Sequence, residues 1–177
     1  GPGVSITSSR FPSLDSSELG NMAQSGIGQG SVLSTPMQMA LVASTVANDG
    51  VMMQPKLVNS IVDKDQNVVK TIDNKELKQV MSSDIAETIQ EYMTNLVDSN
   101  LSKWPAFKGT NAGGKTGTAD YTLSDGTEAT PHSWFIAAAP MDDPQIAVAV
   151  IVENGGTGSG AAATVASKVV RQAVLGY

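Results

Sequence analysis

The stretch from Gly113 to Asp120 combines a cation, hydroxyls and glycines in an order that suits a ligand-binding strand. Lys115 supplies an ammonium, and Thr116 and Thr118 supply hydroxyls at alternating positions. Gly117 removes side-chain bulk between them, which lets a ligand approach the backbone. Such a strand can accept an extended substrate along its edge through main-chain hydrogen bonds, or bind a carboxylate through hydroxyls and ammonium.

A glycine-rich segment, residues 156–160, has a pattern that also occurs in dinucleotide-binding loops. Gly158 begins a G-x-G-x-x-A sequence between a predicted strand and a predicted helix. That fingerprint needs an acidic residue about 20 positions further on, and the sequence ends at Tyr177 before one could follow. We therefore expect no nucleotide, and we interpret the glycines as allowing a close turn into the last helix.

Other candidates for catalysis or metal binding are weaker. His132 is the one histidine, but no G-x-S-x-G sequence accompanies it, so we interpret it as a strand-start residue packed beside Trp134. The chain has no cysteine, which excludes disulfides and cysteine-ligated zinc. Residues 63–67 lack the glycine and distal glutamate of an EF-hand loop, so a plain turn is expected. We expect neither a metal nor another cofactor.

Composition and charge restrict the classes of partner. The formal net charge is -6, and 41% of the 177 residues are hydrophobic. An acidic chain without basic runs lacks the electrostatic footprint of a nucleic-acid-binding protein. No stretch approaches the roughly 18 consecutive apolar residues that indicate a membrane span.

Three strands are predicted around Lys115 and after it. They cover residues 112–119, 133–139 and 145–152, the last two joined by a turn at residues 140–144. Helices are predicted for residues 36–48 after the cap Thr35, for residues 84–97 after the cap Ser83, and for residues 161–175. A hairpin is predicted from residues 57–62 and 67–72. Residues 1–33 show no lasting period, although residues 14–19 could start a short helix. A sheet flanked by helices predicts an α+β fold, and we take residues 1–177 as part of a single domain.

Lys115-Thr116-Gly117 matches the third element of a signature set that also contains Ser-x-x-Lys and Ser-Asp-Asn. That set belongs to penicillin-binding proteins and class A β-lactamases. Four flanking segments keep the family's order: residues 28–30, 35–40, 47–55 and 132–140. Over about residues 20–177 the chain therefore resembles the C-terminal portion of the transpeptidase domain of penicillin-binding proteins.

This resemblance implies part of a penicillin-binding or serine β-lactamase-like transpeptidase fold, with an antiparallel sheet packed against helices. It also implies a peptidoglycan D,D-transpeptidase. In that family a serine attacks the penultimate D-Ala carbonyl of a stem peptide, and the amine of a neighbouring stem resolves the acyl-enzyme. β-Lactams trap the same serine. The expected location is the outer face of the bacterial cytoplasmic membrane, with the anchor outside these residues.

The resemblance also implies roles for single residues. Lys115 would assist proton transfer and set a positive potential, and Thr116 and Thr118 would hold the terminal carboxylate of the substrate. The Thr118 N–H would form half of an oxyanion hole, while Gly114 and Gly117 would complete the substrate-binding strand. Two other readings of the resemblance stay open, a serine β-lactamase and a non-catalytic β-lactam-sensing module.

Neither Ser-x-x-Lys nor Ser-x-Asn occurs in the sequence, and the pairs Ser60 with Lys64 and Ser99 with Lys103 are four positions apart. In the family both motifs precede the segment resembled here. We therefore expect the upstream half of the domain to be a missing partner, and the isolated chain to be inactive. Without that half it should expose apolar surface and be poorly folded, oligomeric or bound to the other half.

Overall fold

The computed structural model describes residues 7–177. The α-helices of this part are α1 (Leu19–Gly26), α2 (Pro36–Ala47), α3 (Ser83–Asp98) and α4 (Ala161–Leu175), with a 3-10 turn at Pro105–Phe107. The strands are β1 (Val51–Met53), β2 (Ser60–Val62), β3 (Val68–Thr71), β4 (Glu76–Gln79), β5 (Gly113–Ala119), β6 (His132–Ala139) and β7 (Ile146–Val152). The α+β prediction is confirmed.

A three-stranded antiparallel sheet in the order β5-β6-β7 forms the centre of the molecule. All seven residues of β5 pair with β6, from Gly113 opposite Ala138 to Ala119 opposite His132. The three predicted strands and the turn at residues 140–144 are confirmed. Because β6 is central, β5 is an edge strand and has one side without a paired strand among the described residues.

Helices cover both faces of this sheet. On one face, Phe135 is completely buried and packs against α4, whose small side chains at Ala162 and Ala166 let the helix approach closely. The ring of Trp104 meets Phe135 edge-on, with ring centroids 5.2 Å apart. On the other face α3 is close enough that a Cβ added to Gly113 would lie 3.1 Å from the Cβ of Met93. The alternation of side chains along each strand supplies both layers.

Helix α2 begins and ends as its sequence predicts. The Thr35 hydroxyl accepts a hydrogen bond from the Gln38 N–H at 3.2 Å, and Pro36 occupies the first helical position. After the helix, Gly50 has a left-handed φ of 86°. A Cβ at that position would lie 2.3 Å from the Met81 carbonyl oxygen, so only glycine fits there.

The predicted hairpin is formed by β2 and β3, and its loop is a plain turn. Asp63 Oδ1 accepts the N–H groups of Asp65 and Asn67 at 2.8 and 2.9 Å. The hydrogen bonds from Asn67 are the main reason that the pKa of the Asp63 carboxyl lies below its ordinary value. Within residues 7–177 no cluster of three or more metal-binding side chains is found.

Three local predictions were wrong or incomplete. The irregular segment contains α1, which no apolar stripe indicated because none of its residues is buried. The pair β1–β4 was not predicted, since three- and four-residue strands are too short to show alternation. Ser82, one residue before the predicted cap Ser83, is the N-cap of α3, and its side chain makes no capping hydrogen bond.

Across residues 7–177, no helix combines the length and the apolar character needed to cross a membrane.

Replacing Phe135 by alanine should lower the free energy of unfolding by about 3–5 kcal/mol, because the change leaves a cavity under α4. Urea unfolding measures this difference. The matched control is Tyr92→Ala on the exposed side of α3, where about 0.5 kcal/mol or less is expected. Equal effects of the two substitutions would contradict this description of the core.

Candidate functional site

The candidate site is the unpaired edge of β5. Lys115 is exposed, whereas Thr116, Gly117 and Thr118 are half-buried and Gly114 is buried. Gly114 lies under the aromatic core, since an added Cβ would be 2.6 Å from the ring of Phe135. The strand is therefore anchored on its core side and open to a ligand on its outer side.

The side chain of Lys115 leaves β5 on one face of the sheet, and those of Thr116 and Thr118 leave it on the other. The Lys115 side chain then bends so that its ammonium lies at the unpaired edge. The register puts Lys115 opposite Ile136 on the α3 face, whereas Thr118 lies opposite Ser133 on the α4 face. The Lys115 ammonium donates to the Thr116 carbonyl oxygen at 2.8 Å and lies 3.2 Å from the Thr116 hydroxyl. The cation and one hydroxyl thus meet at the unpaired edge.

A contact that the sequence did not predict lies on the same edge. The side chain of Gln29, in the turn between α1 and α2, donates from Nε2 to the Thr118 carbonyl oxygen at 2.7 Å. The carbonyls of Thr116 and Thr118 therefore both point outward. In an antiparallel strand the N–H and the C=O of one residue point to the same side, so the N–H groups of these threonines face outward too.

The back of β5 is covered by the glycine-rich segment, residues 155–160. The Gly158 N–H donates to the Thr118 hydroxyl at 3.2 Å. A Cβ on Gly158 would lie 2.3 Å from the Gly117 carbonyl oxygen, so the two backbones are in direct contact. The predicted close turn into the last helix is confirmed, and its glycines serve this contact with β5.

A buried hydroxyl holds that segment in place. Ser133 is completely buried, and its Oγ donates to the Thr157 carbonyl at 2.7 Å while accepting the Ala162 N–H at 3.1 Å. The sequence showed this residue only as part of a strand. Its role depends on the loop and the helix that fold over it.

The loop between β5 and β6 is tied to the loop between β7 and α4 by His132. This residue begins β6, as predicted, and its ring stacks on Tyr121 with centroids 4.5 Å apart. His132 Nδ1 accepts the Asn154 N–H at 3.0 Å, and the Asn154 side chain contacts the Tyr121 hydroxyl. Both loops are therefore held together at one end of the candidate edge.

A short turn within the β5–β6 loop has its own electrostatic stabilisation. The Thr127 hydroxyl and N–H donate to Asp125 Oδ1 at 2.6 and 3.0 Å. These two hydrogen bonds hold the pKa of the Asp125 carboxyl below its ordinary value, and the bond from the Thr127 hydroxyl contributes most. A lowered pKa means that the turn is fully stabilised above the unfolded pKa and loses this contribution as the carboxyl is protonated in acid.

Two surface cavities lie away from this edge, beside α2 and β7. They measure about 270 and 370 Å³, and Met53 and Ala147 line both. No residue of β5 lines either cavity. The cation and the outward N–H groups of the candidate site lie instead at the edge of β5.

Residues 6–172 match the family model described as the penicillin binding protein transpeptidase domain. Peptidoglycan D,D-transpeptidase PbpA of Mycolicibacterium smegmatis is 39% identical over 145 residues, covering 82% of this chain and 28% of the relative. PbpA of Mycobacterium tuberculosis is 35% identical over 170 residues, covering 93% of this chain and 34% of the relative. The chain thus spans about a third of the length of these curated relatives.

Solved structures of penicillin-binding proteins are also similar to this chain. The ceftriaxone acyl-enzyme complex of penicillin-binding protein A from M. tuberculosis matches with a TM-score of 0.83 and 34% identity, covering 96% of this chain and 38% of that chain. Penicillin-binding protein 2B from Streptococcus pneumoniae matches with a TM-score of 0.79 and 26% identity, covering 95% of this chain and 29% of that chain.

Replacing Gly158 by alanine should destabilise the protein by about 1–3 kcal/mol, because its Cβ would overlap the backbone of β5. Thermal or urea unfolding measures the change. Gly20→Ala is the control, since a Cβ at this position in α1 would meet no atom within 4 Å and alanine suits a helix. If both variants unfold like the parent protein, the backbone of Gly158 does not lie in direct contact with β5.

Proposed function

The chain belongs to the penicillin-binding protein transpeptidase family, and on that premise we propose that it supplies one wall of the active site of a peptidoglycan D,D-transpeptidase. One observation carries the proposal. The Lys115 ammonium and the outward N–H groups of β5 are gathered on a single unpaired strand edge. An edge with these donors suits a peptide that ends in a carboxylate.

Lys115 gives the wall its charge. Its ammonium is exposed and lies at the Thr116 carbonyl, where it attracts an anionic substrate end and can exchange protons with a neighbouring group. The Thr116 hydroxyl, 3.2 Å from this ammonium, is better placed for a carboxylate than the Thr118 hydroxyl. The latter already accepts the Gly158 N–H on the back of the strand.

The Thr118 N–H is the proposed donor to the oxyanion. It faces the unpaired edge, and the contact with Gly158 holds its residue from behind. When a tetrahedral intermediate forms, the carbonyl oxygen of the substrate becomes negative and this N–H stabilises it. One such donor is worth about 3–4 kcal/mol in the transition state. Gly117 and Gly114 complete the strand that lies against the substrate.

The nucleophile comes from outside the 177 residues in this proposal, because the sequence contains no Ser-x-x-Lys. The serine oxygen would attack the penultimate D-Ala carbonyl, the terminal D-Ala would leave with the proton, and an ester would form. The amine of a second stem peptide would then displace the serine and create the cross-link. A β-lactam would acylate the same serine as the C–N bond of its ring breaks, and this ester of the opened ring would hydrolyse only slowly.

Apolar surface near the start of the described chain supports a partner segment that carries this serine. Phe11, Leu19 and Ile27 are each at least 71% exposed. Side chains of this size in one segment indicate a surface that another part of the protein covers. We assign that part to the upstream half of the domain. The proposed location is the outer face of the bacterial cytoplasmic membrane, where peptidoglycan is cross-linked.

The isolated chain of residues 1–177 should form no covalent adduct with a fluorescent penicillin, since an ester needs an activated nucleophile. A longer protein that adds the Ser-x-x-Lys segment should form one that survives boiling. Gel fluorescence measures both. A boiling-resistant adduct on the isolated chain would place the nucleophile within these residues and contradict the proposal.

In the longer protein, Lys115→Ala should slow acylation by a β-lactam about 100-fold, because both the positive potential and the proton-transfer group are lost. The time course of labelling gives the second-order rate constant. Lys70→Ala, which removes an exposed ammonium from β3, should leave that constant unchanged. Similar rate constants for the two variants would remove Lys115 from the site.

A further inference from the structure

A Gly-Gln-Gly turn between α1 and α2 lies against the unpaired edge of β5. Gly28 and Gly30 have left-handed φ angles of 78° and 70°, which allow a tight reversal on each side of Gln29. The Gln29 N–H donates to the Gln24 carbonyl at 2.9 Å and ties the turn to the end of α1. The turn therefore presents one half-buried side chain to the strand.

The amide of that side chain has a defined orientation. Gln29 Nε2 lies 2.7 Å from the Thr118 carbonyl oxygen and 3.1 Å from Asp120 Oδ2. The Thr118 carbonyl can only accept a hydrogen bond, so the NH₂ group must face it and the amide oxygen must point away. The two N–H bonds of the amide thus go to Thr118 near the end of β5 and to Asp120, the first residue after this strand.

We propose that Gln29 is a positioning residue for acyl transfer: by holding the Thr118 carbonyl, it fixes the direction of the Thr118 N–H. This inference rests on the proposed function, in which that N–H stabilises the oxyanion. The outer side of β5 has no neighbouring strand in the described chain to hold its peptide groups. The Gln29 side chain takes the place of one hydrogen bond that a neighbouring strand would make to the Thr118 carbonyl. It leaves the Thr118 N–H available to the substrate.

The energetic requirement on that N–H is geometric. A donor stabilises the oxyanion only when it is about 2.7–3.1 Å from the position the oxygen will occupy. A displacement of about 1 Å in such a group can cost about 100-fold in rate. The Gly158 contact restrains Thr118 through its hydroxyl, on the α4 face. Gln29 restrains the same residue at its carbonyl, so the two contacts together fix its peptide groups.

Gln29→Glu is the most informative substitution, because it keeps the shape of the side chain and replaces the donor by an acceptor. An ionised glutamate would face the Thr118 carbonyl and the Asp120 carboxylate, and both repel it. In the longer protein with the Ser-x-x-Lys segment, we expect β-lactam acylation at neutral pH to be about tenfold slower. This corresponds to the loss of one hydrogen bond of about 1.4 kcal/mol.

The same variant tests whether the donated hydrogen bond, rather than the bulk of the side chain, sets the acylation rate. A protonated glutamate regains a donor, and the Asp120 carboxylate raises the pKa of the new carboxyl above its usual value of about 4.3. The Lys115 ammonium, further along the edge, acts in the opposite direction. The acylation rate of Gln29→Glu relative to the parent protein at each pH should therefore recover as the pH falls through that pKa. Gln29→Ala should stay slow at every pH.

The control is Gln145→Glu in the turn before β7. Gln145 Nε2 also donates to a backbone carbonyl, that of Asp143, at 3.1 Å, but it lies away from β5. Its acylation rate should match that of the parent protein at each pH. Unfolding midpoints of all variants are measured at the same pH values, so that loss of folded protein is separated from loss of rate.

Each outcome decides one claim. If Gln29→Ala and Gln29→Glu acylate as fast as the parent protein, Gln29 does not position Thr118. If both are slow without recovery in acid, or if the rates fall only in step with the unfolding midpoints, Gln29 does not set the rate through this hydrogen bond, and the inference is also overturned. If the parent protein itself forms no β-lactam adduct, the proposed function fails, independently of these variants.

Discussion

Among residues 7–177, β5 is hydrogen-bonded to β6 along its whole length on one side and has no paired strand on the other, and the candidate site depends on this asymmetry. The paired side fixes the strand through seven register pairs, with Phe135 packed beneath Gly114. The open side keeps backbone donors available to a ligand. Sites built on a strand of a packed sheet keep their geometry better than sites on loops.

The open edge is not simply exposed backbone. Its carbonyls at residues 116 and 118 are occupied by Lys115 and Gln29, respectively. A strand edge with unpaired N–H and C=O groups invites pairing with other chains. Each of these side-chain hydrogen bonds satisfies one lone pair of its carbonyl, so the edge offers fewer unpaired acceptors to another chain.

The sequence predicted the elements whose signals are long or chemically distinctive. The strands around Lys115, the helix after Thr35 and the last helix were predicted with their approximate bounds, because periodicity and caps are local properties. The Lys115-Thr116-Gly117 motif also led to the correct family. A short helix without a buried face and the pair β1–β4 were missed, since neither leaves a periodic pattern. The contact of Gln29 with Thr118 was missed for a different reason. It joins positions 89 residues apart, and only the folded chain brings them together.

The position at which α4 begins is determined by a residue outside the helix. Its N-cap, Gly160, has no side chain to accept the first N–H groups, and the Ser133 hydroxyl of β6 accepts the Ala162 N–H instead. The hydrogen bond that usually comes from the residue before a helix thus comes from a neighbouring strand. It follows that the first turn of α4 gains its full stability only after β6 is in place. The stability of this end of the helix is therefore coupled to assembly of the sheet.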